Sequence, residues 1–162
     1  MRIWVFSVAV MLTATTAFGA TSNDVIGSWQ TEGNSSLLEI VKCGDKLCGN
    51  VVWLKNPNYV SCKDGPVGTP KVDLKNPDPA LRSRPILGLQ VIEGLTATGD
   101  NRWEHGTCYD PESGKSYQCK IRLENPDRLE IRGFIGFSLL GRTYVLTRKE
   151  ENPAAQANNK HP

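Results

Sequence analysis

Tyr117-Gln-Cys-Lys-Ile-Arg-Leu-Glu-Asn125-Pro-Asp-Arg128-Leu-Glu-Ile-Arg-Gly-Phe-Ile135 is the stretch that decides the fold class. Tyr117, Cys119, Ile121 and Leu123 alternate with Gln118, Lys120, Arg122 and Glu124, so one face of an extended chain is apolar and the other is wet. Asn125-Pro-Asp-Arg128 supplies turn chemistry. Leu129, Ile131 and Ile135 then resume the apolar face, with Glu130 and Arg132 opposite. The pattern predicts a β-hairpin of period two.

Outward from this hairpin, the same alternation predicts strands at Thr143 to Arg148, Arg102 to Tyr109 and Ile86 to Glu93. Ser28 to Glu32, Leu37 to Lys42 and Val51 to Leu54 complete the set. Seven or eight short strands separated by turn signals imply an all-β antiparallel sandwich or barrel. Two stretches break the rhythm. Lys55 to Lys75 is rich in Gly and Pro and predicts a long loop, a length that functional segments favour. Asn76 to Pro85 predicts a short helix over Asp78–Arg84, with Asp78 as its cap, Pro79 in the first position and Pro85 as its stop.

The ends read differently. Arg2 precedes an apolar run from Ile3 to Ala14, followed by Ala17-Phe-Gly-Ala20. This is the layout of a secretory leader cleaved after Gly19, too short to span a bilayer. Residues 150–162 are polar and predict a disordered tail. The predicted organisation is thus a leader at 1–19, one β domain at 20–149 and a loose tail. Among 162 residues, 19 Lys and Arg against 17 Asp and Glu give a net charge of +2, which excludes the concentrated basic surface of a nucleic-acid binder. The expected location is the periplasm or the exterior.

Export makes disulfides the default for Cys43, Cys48, Cys62, Cys108 and Cys119. Cys43 and Cys48 bracket a predicted four-residue hairpin loop, Gly44 to Leu47, and are expected to bridge. Cys108 and Cys119 flank the turn Asp110 to Lys115 and could pair across it, but with Cys62 present three single pairings stay open. No Cys-x-x-Cys pair exists, and His105 and His161 lack partners at ligand spacing, so neither a metal nor a cofactor is expected.

Catalytic signatures are thin. His105 is the only histidine in the domain, and no Gly-x-Ser-x-Gly elbow or phosphate-cradling loop occurs. Asp110 and Glu112 lie in Asp-Pro-Glu-Ser-Gly, which a hairpin turn also demands. No catalytic residue is therefore assigned. The better constellation is basic: Arg82, Arg84, Lys115 and Arg132. One of the first two is expected to reach inward, to cap strand carbonyls or pair with Asp73, Asp78 or Asp110. A salt-bridge network and an anionic ligand both suit arginine. Trp53, Tyr109 and Tyr117 could wall a cavity, so the candidate ligand set is Trp53, Arg82, Arg84, Asp110, Lys115, Tyr117 and Arg132.

Several blocks resemble one family. Gly27-Ser-Trp29, then Cys43…Leu47-Cys48-Gly49…Val52-Trp53-Leu54, Asn76-Pro-Asp-Pro-Ala-Leu-Arg82-Ser-Arg84-Pro-Ile-Leu-Gly88 and Tyr109-Asp-Pro-Glu-Ser-Gly-Lys115-Ser-Tyr117 come in family order. With Arg132-Gly133 and Gly141-Arg142-Thr143 to Thr147-Arg148, they resemble the bacterial "domain of unknown function 2147" over about residues 24 to 149. The resemblance implies a compartment and a fold and carries no reaction. Leu146 stands where members often have an aromatic, and Cys62, Cys108 and Cys119 look like additions. Gly-x-Trp on the first strand and an Arg on the last also resemble the calycin barrels, in which the Arg packs over the Trp ring and closes the floor. Trp29 and Arg148 (or Arg142) would be the counterparts.

The expected fold is therefore a single up-and-down antiparallel barrel with one short helix and a long loop covering one mouth; a sandwich is the alternative. The expected function is binding of a small hydrophobic, amphipathic or anionic ligand, with no nucleic acid and no membrane span. Two other functions stay open: an envelope protein–protein module using exposed Phe134 and Phe137, and a hydrolase around Asp110, Lys115 and His105.

Overall fold

The alternating hairpin folds as read, except that Ile135, expected on the apolar face, lies past the end of the second strand and is exposed. Strand β6 (Lys115–Asn125) pairs with β7 (Arg128–Phe134), placing Ile121 opposite Ile131 and Leu123 opposite Leu129. The computed structural model describes residues 24–136, 138–139 and 141–149; the predicted leader, the predicted tail and Phe137 lie outside them. The remaining strands are β1 (Gly27–Thr31), β2 (Ser36–Cys43), β3 (Lys46–Leu54), β4 (Gln90–Gly99), β5 (Arg102–Asp110) and β8 (Gly141–Arg148). Each pairs antiparallel with its sequence neighbour, and β1 also pairs with β8, so the sheet closes as an up-and-down barrel. Closure removes the sandwich alternative. No helix among the described residues is long and apolar enough to cross a membrane.

Three local expectations change. The β2–β3 turn has two residues rather than four, because Cys43 pairs with Lys46 and Val41 with Cys48. Cys43 and Cys48 are still bridged, diagonally, with Cα atoms 5.9 Å apart. The strand expected at Ile86 begins only at Gln90, because residues 86–89 bond elsewhere: the Ile86 amide donates to the Lys71 carbonyl and the Gly88 amide to that of Val51. The helix expected over Asp78–Arg84 is a single 3-10 turn, Pro79–Leu81. Asp78 does cap it, accepting from the Ala80 amide, but the Arg84 carbonyl is drawn away to accept from the Asp73 amide. A second bridge joins Cys108 and Cys119, and Cys62 is free and exposed.

One end of the barrel, the floor, carries the tight turns after β2, β4 and β6. The other, the mouth, carries residues 32–35, 55–89, 111–114, 135–136 and 138–139. Trp29, Ile40, Leu95, Ile121, Leu123, Leu129 and Leu146 are fully buried and fill the floor and the middle. Two kinks keep the filling inward. Gly94 and His105 both take positive φ, and the β5–β6 register shifts between Trp103 and Gly106, so Trp103 and Gly106 both face inside. A Cβ at Gly106 would meet the Leu95 side chain at 2.7 Å, so the wall there touches the core directly.

The floor closes on one stacked pair. The Arg148 guanidinium lies 4.3 Å from the Trp29 ring centroid. Its Nε donates to the Pro126 carbonyl at 2.6 Å, Nη1 to that of Ile26 at 3.2 Å, and Nη2 to that of Asp24. Trp29 Nε1 donates to the Val25 carbonyl at 2.8 Å. Arg142 sits toward the mouth, opposite Gly133, and is exposed. Arg148→Ala removes the stack and strands three carbonyls, so it should lower unfolding free energy by about 2–3 kcal/mol. Urea denaturation with an unchanged m-value would measure this.

Candidate functional site

The long β3–β4 connection, residues 55–89, is an ordered strap. The Tyr59 amide donates to the Thr69 carbonyl and the Lys71 amide to that of Pro57, making a small hairpin of its own. The buried Tyr59 hydroxyl donates to the Val72 carbonyl at 2.9 Å and accepts from the Val72 amide at 3.1 Å. Gly65 lies against the Tyr59 ring so closely that a Cβ there would stand 2.6 Å from it.

At the centre of the strap is Asp73, a carboxylate with 0% exposure. Such a group is tolerated only when its oxygens are fully bonded. Oδ1 accepts from the Tyr109 hydroxyl at 2.6 Å. Oδ2 accepts from Asn76 Nδ2 at 2.7 Å and from Arg84 at 2.9 Å (Nε) and 2.8 Å (Nη2). Asn76 also donates to the Tyr109 hydroxyl at 3.1 Å, and the Arg84 guanidinium stacks on the Tyr109 ring at 5.4 Å. Burial pushes the Asp73 carboxyl up, but the hydrogen bonds from Tyr109, Asn76 and Arg84, with the Arg84 charge, outweigh it and hold the group below its ordinary value of 3.8. Burial and the bond to Asp73 push the Tyr109 phenol up.

Register decides which side of the wall this network occupies. Cys108 opposes Tyr117 and is bridged to inward-facing Cys119, so Tyr109, one residue on, faces out. The strap therefore folds down the outside of β4–β6 and does not plug the opening. A cleft of about 270 Å³ lies between them. Asn76, Pro77 and Arg84 line it from the strap, and Glu93, Thr107 and Ser116 from the wall beside Tyr109. The β5–β6 turn clamps its edge: Gly114, at φ +70°, lies so close to the Lys75 carbonyl that any Cβ would collide with it.

The inward face opens at the mouth. Leu146 is buried, but Tyr144, two residues nearer the mouth and opposite buried Ile131, is 52% exposed. Arg142 follows, opposite Gly133. Tyr117 shares this face, since a Cβ at Gly133 would meet its Cβ at 3.6 Å.

The predicted ligand set is divided by this geometry. Arg84 lies in the cleft with its charge matched by Asp73, and Arg82 donates from Nε to the Asn76 carbonyl at 2.8 Å, bracing the same network. Asp110 accepts from the Glu112 amide and the Ser113 hydroxyl, shaping its turn, with exposed Lys115 opposite it. Tyr117 lies inside the barrel, on the other side of the wall from Arg84. Trp53, opposite Leu37, is half-exposed on the outer surface. Arg132 faces out from β7 and donates to the Ser138 and Leu139 carbonyls and to Thr143 Oγ1, fixing the β7–β8 connection. These are not one site. His105 lies five residues from Asp110 along β5, about 16 Å at strand rise, so the hydrolase trio does not converge. Among the described residues no cluster could hold a metal ion.

Sequence reasoning missed Asn76 as a network donor and Tyr144 as a mouth residue. Asn-Pro signals only a turn, and Tyr144 reads as one more apolar position of a strand. The cleft residue Glu93 gave no signal either.

Comparison with known proteins agrees with this architecture. The barrel is similar to protein HP1028 from the human pathogen Helicobacter pylori, described as belonging to the lipocalin family. The TM-score is 0.67 at 20% identity, over 85% of this chain and 91% of that one, a likeness of fold. No curated protein matches the chain. The family of uncharacterized proteins conserved in bacteria (DUF2147) matches residues 27–148. The chain belongs to that family.

Two outcomes test the Asp73 network. Tyr109→Phe leaves Oδ1 of a buried carboxylate without a partner and should cost about 1–3 kcal/mol in chemical denaturation. Because the Asp73 carboxyl is lowered in the folded state, its contribution is present above its ordinary value and is lost as pH falls through the folded one. Protection factors of the strap amides, which correct for the slower intrinsic exchange in acid, should therefore be lower below about pH 3.8 than at pH 6, and Asp73→Asn should flatten that dependence.

Proposed function

We propose that this DUF2147 member is an exported barrel that binds a small amphipathic molecule at its mouth. The observation that carries the proposal is the exposure gradient on the inward face, from buried Leu146 to 52% exposed Tyr144 within one strand. A closed barrel gives a rigid wall, and inward aromatic groups ending in a cation suit an apolar body with an anionic or polar head. Tyr117 and Tyr144 would take the body and Arg142 the head. The floor and middle are filled by large side chains, so the ligand sits shallowly rather than deep in the barrel. Export is supported by the leader-like start, Arg2 to Ala20, and by two disulfides.

A partner-docking function has one observation in its favour: Ile135 and Leu139, beside the mouth, are 66% and 89% exposed. The two readings separate by experiment. Protein purified from a periplasmic extract should carry extra mass in a native mass spectrum, lost after delipidation. The delipidated chain should then bind a dansylated undecanoic acid. Tyr144→Ala should weaken this about ten-fold, and Trp53→Ala, on the outer surface, should leave it unchanged. No bound mass and no probe binding would remove the mouth site. Loss of a co-purifying protein in Ile135→Ser, with probe binding intact, would favour docking.

A further inference from the structure

The cleft outside the barrel has an electrostatic imbalance that the mouth site does not use. Of the residues lining it, Arg84 and Glu93 carry charge. The Arg84 guanidinium directs Nε and Nη2 at the fully buried Asp73, so its charge is cancelled within the network. Glu93 is exposed on β4 and makes no ion pair among the described residues. The uncompensated charge of the cleft is therefore one carboxylate. The Tyr109 hydroxyl is already engaged, donating to Asp73 and accepting from Asn76. The polar groups left to a ligand are the Glu93 carboxylate, the Thr107 hydroxyl directly opposite it across β4–β5, the Ser116 hydroxyl, the Gln90 amide and Nη1 of Arg84, whose charge Asp73 already matches.

We infer that this cleft is a second binding site, for a small polyhydroxylated amine such as an amino sugar, its ammonium on Glu93 and its hydroxyls on Thr107, Ser116 and Gln90. Three features select that class. An anion would face Glu93 while the one cation lining the cleft, Arg84, already has its charge matched by Asp73. A purely apolar ligand would leave the carboxylate and two hydroxyls desolvated and unpaired. A volume of about 270 Å³ is just under the roughly 300–1,000 Å³ of drug-sized pockets, which suits a single ring. The site is also prebuilt. The strap wall is fixed by the Asp73 bonds and its edge by the Gly114–Lys75 contact, so little ordering accompanies binding.

The test uses the isotope-labelled chain at about pH 6, where an amine of this kind is protonated. Titration with D-glucosamine should shift the backbone amides of Glu93, Thr107 and Ser116 saturably. D-glucose, which differs only in carrying a hydroxyl at C2 in place of the ammonium, should bind about three- to five-fold more weakly, the scale of one exposed ion pair. Glu93→Gln keeps the shape of an exposed side chain and should bring glucosamine down to the glucose level, with the Tyr109 and Asp73 resonances unmoved. Dansylated undecanoic acid should bind equally with and without glucosamine, which separates this site from the mouth. Equal affinity for the two sugars, undiminished binding by Glu93→Gln, or no saturable shift at these amides up to about 50 mM would each overturn the inference.

Discussion

The stack of Arg148 on Trp29 is the contact on which the barrel depends. The β1–β8 seam is its shortest: Trp29, Gln30 and Thr31 meet Arg148, Thr147 and Leu146, whereas β7 and β8 are matched from Arg128 to Phe134. If that seam opened, β1 and β8 would become free edges, with unpaired backbone groups and an exposed core. One guanidinium prevents this by holding three chain segments together. It bonds carbonyls ahead of β1, at Asp24 and Ile26, and one in the β6–β7 turn, at Pro126. Because Trp29 is fully buried under it, the cation is partly desolvated, where attraction to the ring is strongest.

A second constraint governs the mouth. Asp73 is a buried charge, and its stability requires every partner in place: Tyr109 from the wall, Asn76 and Arg84 from the strap. The Tyr109 hydroxyl reaches it only from the outward side of β5. The carboxylate thus commits the strap to the outside of the barrel, and the opening stays open. Removing a single partner would leave a buried charge short of a bond, which costs more than the bond itself contributes. Of the two closely spaced arginines, Arg84 is consumed by the strap, while Arg82 is exposed and spends its Nε on the Asn76 carbonyl.

Much of this was legible, and the rest was not, for one reason. Alternation is local, so the inward set Tyr117, Cys119, Ile121 and Leu123 could be read directly, as could the Trp29–Arg148 pair once both were placed at strand ends. Pairing is global. The kinks at Gly94 and His105 each shift an inward position by one residue, and neither Glu93-Gly94 nor Glu104-His105 announces itself in the sequence. Tyr109 and Tyr117 look like companions on neighbouring strands, yet the register Cys108–Tyr117 puts them on opposite sides of the wall. For the two arginines, spacing showed that they diverge. Asp73 was one of three acids that could pair with them, and only the tertiary structure selects it.

The depth available to a ligand in the mouth follows from the same alternation. On β6 the inward positions Leu123, Ile121 and Cys119 are buried and Tyr117 is half-buried; on β8 the change falls between Leu146 and Tyr144. On β7, between them, Gly133 offers no side chain at that level, so the space above Ile131 is left by omission rather than lined by a group. The Cys108–Cys119 bridge lies beside it, tying β5 to β6 at that depth. A ligand entering from the mouth would meet apolar floor below and two tyrosines at the sides, with Arg142 at the rim. That arrangement favours a molecule whose apolar part is short and whose polar head stays in water. A long chain of the kind a hollow barrel swallows would have to displace Leu146, Ile131 and Ile121, each buried in the core.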